Sequence, residues 1–368
     1  GASYLASLVD AVPTAANVAH HARIVKDKAL LAALIQKGTA VVGRAYADTE
    51  DVDEVLDWAE QQIFEISQEK ISRSFVPVKN ILKGTFQLIE TLYERKSHVT
   101  GVPTGFRKFD EMTAGLQPSD LIVVAGRPSM GKTSFCLNIA QHAAVQERIP
   151  VAIFSLEMSK EQLVQRMLCS VAKVDSHRLR TGYLSDSDWP KLTTGAGILS
   201  ESPIFIDDTP GISLLEMRAK ARRLKAEQGL GLVVIDYLQL VSGRGRAESR
   251  QQEISEISRS LKAMAKELSV PVMALSQLSR AVESRQPPRP QLSDLRESGA
   301  IEQDADVVTF LYRPAFYRVR KDDDQDEPED NTTEVIIGKQ RNGPTGTVNL
   351  AFLREYTRFE EQERQRDF

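Results

Sequence analysis

Residues 126–133 read Gly126-Arg127-Pro128-Ser129-Met130-Gly131-Lys132-Thr133, a complete G-x-x-x-x-G-K-[ST] segment. The apolar run Leu121-Ile122-Val123-Val124-Ala125 precedes it, and the helix-like Thr133-Ser134-Phe135-Cys136-Leu137 follows. A buried strand, a glycine-rich turn and a helix in that order point to an α/β domain built on a parallel sheet. Glycines let backbone N–H groups close around phosphate oxygens without Cβ clashes. The helix N-terminus adds partial positive charge. On this reading Gly126, Arg127, Pro128, Ser129, Met130, Gly131, Lys132, Thr133 and Ser134 cradle a nucleoside triphosphate. Lys132 reaches the β- and γ-phosphates, and the Thr133 hydroxyl ligates Mg²⁺. The alternative is a glycine-rich turn that holds nothing.

The rest of the pattern fits the same class. Short apolar runs at 121–125, 151–156, 203–207, 232–236, 271–275 and 306–312 read as strands covered on both faces. Helical stretches separate them, two opening with capping boxes, Ser159-x-x-Gln162 and Ser213-x-x-Glu216. Residues 333–341 and 346–353, split by Asn342-Gly343-Pro344, read as a terminal hairpin. The acidic, Pro-containing run from Lys321 to Asp330 reads as a solvated loop.

The amino-terminal part differs. Residues 15–45 and a second stretch with Val52, Val55, Leu56, Ala59, Ile63 and Ile66 at helical spacing suggest an antiparallel helical hairpin. Residues 70–80 are polar, and an amphipathic helix follows over 78–95. Its stripe is Val78, Ile81, Leu82, Leu88, Ile89 and Leu92, and it needs cover from its own domain or from a neighbouring subunit. These breaks divide the chain into a helical hairpin at 1–72, a linker with one helix at 73–100 and an α/β phosphate-loop domain at 101–368. Residue 1 is Gly rather than Met, so the chain reads as a fragment or a tagged form.

Composition narrows the function. A formal net charge of −4 excludes a protein that is basic all over, so any nucleic-acid contact must come from local clusters. Cys136 and Cys169 are far apart and sit in apolar helical patterns, which points to reduced core thiols and a cytoplasmic protein. His20, His21, His98, His142 and His177 lack metal-ligand spacing. No apolar run approaches a membrane span.

Three strand tips carry further chemistry. Leu232-Val233-Val234-Ile235-Asp236 ends a strand in an acid, the form of a Walker B segment that holds Mg²⁺ beside the phosphate loop. Glu157, after Ile153-Phe154-Ser155-Leu156, is placed either to deprotonate a water or to charge the start of the next helix. Gln277, at the end of Pro271-Val272-Met273-Ala274-Leu275-Ser276, either senses the γ-phosphate or is a polar surface residue.

Five ordered segments then resemble one family. They are Phe154-Ser155-Leu156-Glu157-Met158, Ile235-Asp236-Tyr237-Leu238-Gln239-Leu240, Ala274-Leu275-Ser276-Gln277-Leu278, Asp294-Leu295-Arg296-Glu297-Ser298-Gly299 and Gly338-Lys339-Gln340-Arg341-Asn342-Gly343. Together they are similar to the bacterial replicative helicases of the DnaB family. The resemblance implies a hexameric ring that hydrolyses ATP with Mg²⁺ and moves 5′ to 3′ on single-stranded DNA. It implies Glu157 as catalytic base, Asp236 as Walker B carboxylate and Gln277 as γ-phosphate sensor. It implies that Lys339 and Arg341 enter a neighbouring subunit's nucleotide site, Arg341 as an arginine finger. Without it, these two would read as a solvated hairpin tip.

DNA contacts are expected in two loops leaving strand carboxyl ends. One holds Arg244, Arg246 and Arg250. The other, residues 279–304, includes Arg280, Arg285, Arg289 and Arg296, although Pro287-Pro288-Arg289-Pro290 also reads as a stiff exposed loop, and the family pattern places Arg296, Glu297 and Gly299 along the DNA channel. Neither loop contains an aromatic residue, so backbone phosphate contacts are expected to dominate base stacking. Family members carry a globular helical subdomain before the hairpin, and here only the hairpin is expected. That weakens the expected amino-terminal collar and the contacts with primase and helicase loader. A recombinase-like filament and a nucleotide-dependent scaffold are the competing functions.

Overall fold

The computed structural model describes residues 18–47, eight positions between 51 and 66, 77–95, 99–240, 250–295, 299–318 and 330–362. The chain divides into two compact units, Gly1–Glu94 and Arg95–Phe368. In the first, helix α1 spans Val18–Ala47. The Lys37 ammonium donates to Gln62 Oε1 at 2.6 Å, and the Arg44 guanidinium lies over Trp58, 4.6 Å from the ring centroid. Residue numbers rise on one side as they fall on the other, so the two segments run antiparallel. Helix α2 spans Val78–Arg95, the bounds that the stripe predicts. Val78, Ile81, Leu82, Phe86 and Ile89 on it are exposed. The side chains of Leu88 and Leu92 lie outside the described residues.

The second unit is built on one nine-stranded sheet. Its strands are β1 (Leu121–Gly126), β2 (Val151–Ser155), β3 (Ile204–Asp207), β4 (Leu232–Asp236), β5 (Val272–Gln277), β6 (Val307–Tyr312), β7 (Thr332–Gln340), β8 (Gly346–Leu353) and β9 (Arg358–Glu361). They lie in the order β3-β2-β4-β5-β1-β6-β7-β8-β9. The first six are parallel, and β7, β8 and β9 add an antiparallel end. This is the doubly wound α/β architecture that the strand–helix alternation predicts and the RecA-like domain that the family resemblance implies.

The continuous apolar runs are explained by burial on both faces. Successive side chains of a strand point to opposite faces. In β1, Ile122 and Val124 join one cluster, with Phe135, Ile139, Leu163 and Met167. Leu121, Val123 and Ala125 join the other, with Met217, Ile257, Leu261 and Met264. The covering helices α3 (Arg107–Thr113), α4 (Lys132–Gln141) and α5 (Lys160–Ala172) lie on the first face, and α6 (Leu214–Gln228) and α7 (Arg250–Leu268) on the second. Cys136 and Cys169 are buried and unpaired.

Local signals and structure differ in two places. Ser159 and Gln162 form a reciprocal capping box at α5. At α6 the Ser213 side chain accepts from the Glu216 N–H at 3.2 Å, which is half of the predicted box. Strand β9 is not predicted. It has four residues, of which only Phe359 is buried, too few for a period-two pattern. The solvated loop expected between Lys321 and Asp330 lies outside the described residues as far as position 329.

Candidate active site

Parallel strands in register bring their tips to one edge. β1 and β5 pair so that Gly126 faces Gln277, and β2 and β4 so that Ser155 faces Asp236. The phosphate loop, Glu157, Asp236 and Gln277 therefore converge at the carboxyl edge, where open α/β sheets bind ligands. A cleft of about 630 Å³ opens there, lined by Ser129, Lys132, Thr133, Glu157 and Gln277 among others.

The loop's shape rests on backbone that L residues rarely adopt. Gly131 has φ +90° and Ser129 has φ +66°. A Cβ on Gly131 would lie 2.9 Å from Phe359 Cζ. Phe359 stacks on Phe352 at 4.5 Å and meets Phe135 edge-on at 5.6 Å. Its N–H donates to Asn138 Oδ1 at 2.6 Å. The terminal strands thus form an aromatic backing under the phosphate loop.

The Lys132 ammonium donates to the carbonyls of Gly126 at 2.9 Å and Arg127 at 3.2 Å. Burial holds it below its ordinary pKa, while Asp236 and Glu157 draw it back up. The Thr133 hydroxyl donates to Asp236 Oδ2 at 2.8 Å. Asp236 is buried, which pushes its carboxyl above the usual range. The Thr133 hydrogen bond opposes that shift, and the Glu157 charge adds to it. A cation beside this pair would favour the ionised carboxylate. Two hard oxygen donors suit Mg²⁺, which takes one or two protein ligands and completes its shell with phosphates and water. Among the described residues no cluster of three or more His, Cys, Asp or Glu could hold a metal by itself.

Glu157 is exposed at the cleft wall, and its charge acts on both Lys132 and Asp236. Gln277 is exposed at the tip of β5. Gln239 ties the tips of β4 and β5 together, its side-chain amide donating to Ser276 Oγ at 3.1 Å. Gln162 and Arg166, one helical turn apart on α5, also line the cleft, with Tyr237, Phe352 and Thr357. Sequence reasoning missed these five. The i,i+4 spacing of Gln162 and Arg166 was the one signal present, and it does not distinguish a cleft from solvent.

Other expected site residues lie elsewhere. The Arg127 guanidinium turns to Glu283 and the Leu278 carbonyl, both at 2.9 Å. Met130 is buried below the loop. Lys339 and Arg341 are at the opposite edge. Lys339 pairs with Val308 near the amino end of β6. Its ammonium donates to the carbonyls of Glu302, Gln303 and Ala305, at the carboxyl end of helix α8 (Gly299–Asp304). Arg341 bonds the Gln303 carbonyl and lies 3.5 Å from Asp306 Oδ1. A solvated hairpin tip would leave both cations in water. They instead fold against α8, because its terminal carbonyls lack helical partners.

The loop arginines also divide. Arg250 opens α7 and bonds Glu253 and the Gln239 carbonyl. Arg285 makes a fork to Asp294 at 2.8 and 3.1 Å, and Arg289 pairs with Glu334 at 2.7 Å. Arg280 is exposed. Gly299 is exposed, with open space about it. Arg244, Arg246, Arg296 and Glu297 lie outside the described residues.

Residues 101–361 match the model of the DnaB-like helicase C terminal domain. Over 368 residues, all of this chain, the sequence is 55% identical to the replicative DNA helicase DnaB of Geobacillus stearothermophilus and covers 80% of that protein. It is 46% identical to the DnaB of Pasteurella multocida, covering 79% of it. The fold is similar to a solved DnaB-like replicative helicase, described with its interactions with primase, at a TM-score of 0.80 and 36% identity. That match covers 99% of this chain and 83% of the other. With the phosphate loop, the Asp236 strand and the RecA-like sheet, these likenesses identify the chain as a member of the DnaB family of replicative DNA helicases.

Proposed function

We propose that the protein is an ATP-driven motor that assembles as a hexameric ring, moves 5′ to 3′ on single-stranded DNA and unwinds duplex at the replication fork. The observation that carries the ring is the division of the catalytic groups between two edges of the sheet. Lys132, Thr133, Asp236 and Glu157 face the carboxyl edge. Along the strands Arg341 is level with Leu121 and Lys339 with Val123, about 16 Å and about 10 Å from the carboxyl end of β1 for five and three residues at ~3.3 Å each. They cannot reach their own chain's phosphate loop. A second copy brought to the cleft can receive them.

In that arrangement Lys132 and the N–H groups of residues 129–133 hold the β- and γ-phosphates. Thr133 and Asp236 would hold Mg²⁺, whose charge would offset the negative charge of the phosphates. Glu157 takes a proton from water as its oxygen attacks the γ-phosphorus. The bond to the β–γ bridging oxygen breaks, and ADP keeps its electron pair. A neighbour's Arg341 stabilises the charge spread over the transferred phosphoryl. Gln277 reports the γ-phosphate to residues 279–304, where Arg296, Glu297 and Gly299 follow the DNA backbone with Arg244, Arg246 and Arg250.

The exposed stripe of α2 is the surface that a neighbouring subunit covers. We divide the chain accordingly into the hairpin at 1–72, the linker at 73–100 and the motor at 101–368, and place it in the cytoplasm with primase and a helicase loader as partners. No described helix is long and apolar enough to cross a membrane.

The test is subunit mixing. Lys132→Ala and Arg341→Ala proteins are each expected to lose turnover, Arg341→Ala by ~10³-fold if it acts as trans fingers do. Mixed in equal amounts they are expected to regain it at about a quarter of the seams, those joining an intact Lys132 to an intact Arg341 in a head-to-tail ring. Mixtures no more active than their components would overturn the shared site. Unwinding of a forked duplex by the wild-type ring separates a helicase from a recombinase filament, which would pair homologous strands instead.

A further inference from the structure

Arg127 is the second residue of the phosphate loop, yet its side chain leaves the cleft. It is 9% exposed. Its Nε donates to Glu283 at 2.9 Å and its Nη1 to the Leu278 carbonyl at 2.9 Å. The Leu278 N–H in turn donates to the Gly126 carbonyl at 3.4 Å. Three hydrogen bonds thus join residues 126–127 to residues 278–283.

The far side of that junction is stiff. Val282 is fully buried in the sheet's second core. The Ser279 N–H donates to the Asp294 carbonyl at 3.1 Å, and the buried Asp294 carboxylate takes both the Arg285 fork and the Gln291 N–H at 2.7 Å. Residues 278–294 therefore form one braced body, ending two positions before Arg296. On the near side, the carbonyl of Arg127 accepts from Lys132 at 3.2 Å. One residue thus contacts the phosphate lysine through its backbone and the braced loop through its side chain. When Lys132 turns to a bound phosphate it gives up the carbonyls of Gly126 and Arg127, so the backbone of residue 127 is released while its side chain stays tied to Glu283.

The geometry points to the Arg127–Glu283 bridge as a positioning device that couples phosphate occupancy to the grip on single-stranded DNA, separate from the γ-phosphate contact of Gln277. The inference rests on the proposed function, in which ATP fills the cleft and residues 279–304 face DNA. Glu283 touches neither ligand. Its partly exposed carboxylate tolerates replacement, so its removal tests coupling rather than binding.

The experiment uses the full chain, a fluorescent oligodeoxythymidylate and a non-hydrolysable ATP analogue. The coupling factor is the ratio of oligonucleotide Kd without the analogue to that with it. Couplings between sites are commonly about 5- to 150-fold. Glu283→Gln is expected to lower the wild-type factor at least about fivefold, and to lower the effect of oligonucleotide on analogue Kd equally, because binding linkage is reciprocal. The analogue Kd without DNA is expected to stay within about threefold of wild type. A loop that only loses structure would weaken oligonucleotide binding equally with and without the analogue, leaving the factor unchanged. That result overturns the proposal. Glu283→Asp, which keeps the charge on a shorter arm, is expected to fall between, and guards against a Gln variant that fails to fold. Failure of the underlying function would appear in the wild-type chain, as absent binding or a factor of one. Failure of the bridge alone would appear only as a variant that couples normally.

Discussion

Replacing Gly131 by Ala tests what shapes the phosphate loop. Two costs are readable. At φ +90° an L residue is disfavoured by roughly 1–2 kcal/mol. The added Cβ would lie 2.9 and 3.2 Å from Phe359 Cζ and Cε2 and 3.5 Å from Phe352 Cζ. Those rings stack on one another and Phe359 meets Phe135 edge-on, so they cannot swing away, and overpacking of this kind costs about 1–3 kcal/mol. The loop is bounded by solvent on its cleft side, so it relieves the strain by leaving the cradle conformation. Nucleotide binding must then restore that conformation. At tenfold per ~1.4 kcal/mol, a cost of about 2–5 kcal/mol raises the nucleotide Kd from roughly 30-fold to several thousandfold. Titration calorimetry with ADP and Mg²⁺ measures it. Gly229→Ala is the control. Gly229 has φ +75° but nothing within 4 Å of the added Cβ, and it caps α6 away from the cleft. It is expected to lower stability and leave Kd unchanged. A Gly131→Ala protein that binds ADP within threefold of wild type would refute the role of the aromatic backing.

Four further substitutions have expected outcomes. Glu157→Gln should keep ATP affinity and lose turnover by at least about 10²-fold, and near-normal kcat in single-turnover assays would remove Glu157 as base. Arg285→Ala should lower the denaturant midpoint, since Arg285 neutralises the buried Asp294, but leave the salt dependence of DNA binding unchanged. Arg296→Ala should instead reduce the slope of log K against log salt by about 0.7 for each phosphate it no longer neutralises, and the opposite assignment of slopes would exchange their roles. Asp120 carries the pH prediction. Burial, and then the neighbouring Asp306, push its carboxyl up to about 6 from 3.8. The folded chain binds this proton more tightly than the unfolded chain, so the stability it adds is complete below pH ~3.8 and is lost as pH rises through 6. The shift corresponds to about 2–3 kcal/mol once solvent screening at the carboxyl's accessible side is allowed for. Wild type should therefore lose about that much more stability than Asp120→Asn between pH 4 and pH 7. Parallel denaturation curves would show that Asp120 is not held in this state.

Much of the site was legible because its signals are local. Gly131 needs a positive φ, and Asp236 and Gln277 each end a run of residues that must be buried. Each of these demands is made within a few residues and survives in the sequence as a pattern. Loop arginines carry no such mark. Arg285 and Arg289 read as free cations among prolines, and each has an acid partner brought from elsewhere, Asp294 from nine residues on and Glu334 from another strand. Gln162 and Arg166 look like any exposed pair on an amphipathic helix.

Dihedral preference, hydrophobic period and turn chemistry are properties of short segments, and they alone determined eight of the nine strands, the phosphate loop and its helix. Which tips share an edge depends on strand order and register, set by side chains hundreds of residues apart packing on two faces of one sheet. That packing alone decided that Phe359 backs Gly131, that Arg127 turns to Glu283, and that Lys339 and Arg341 stand at the edge opposite their own phosphate loop.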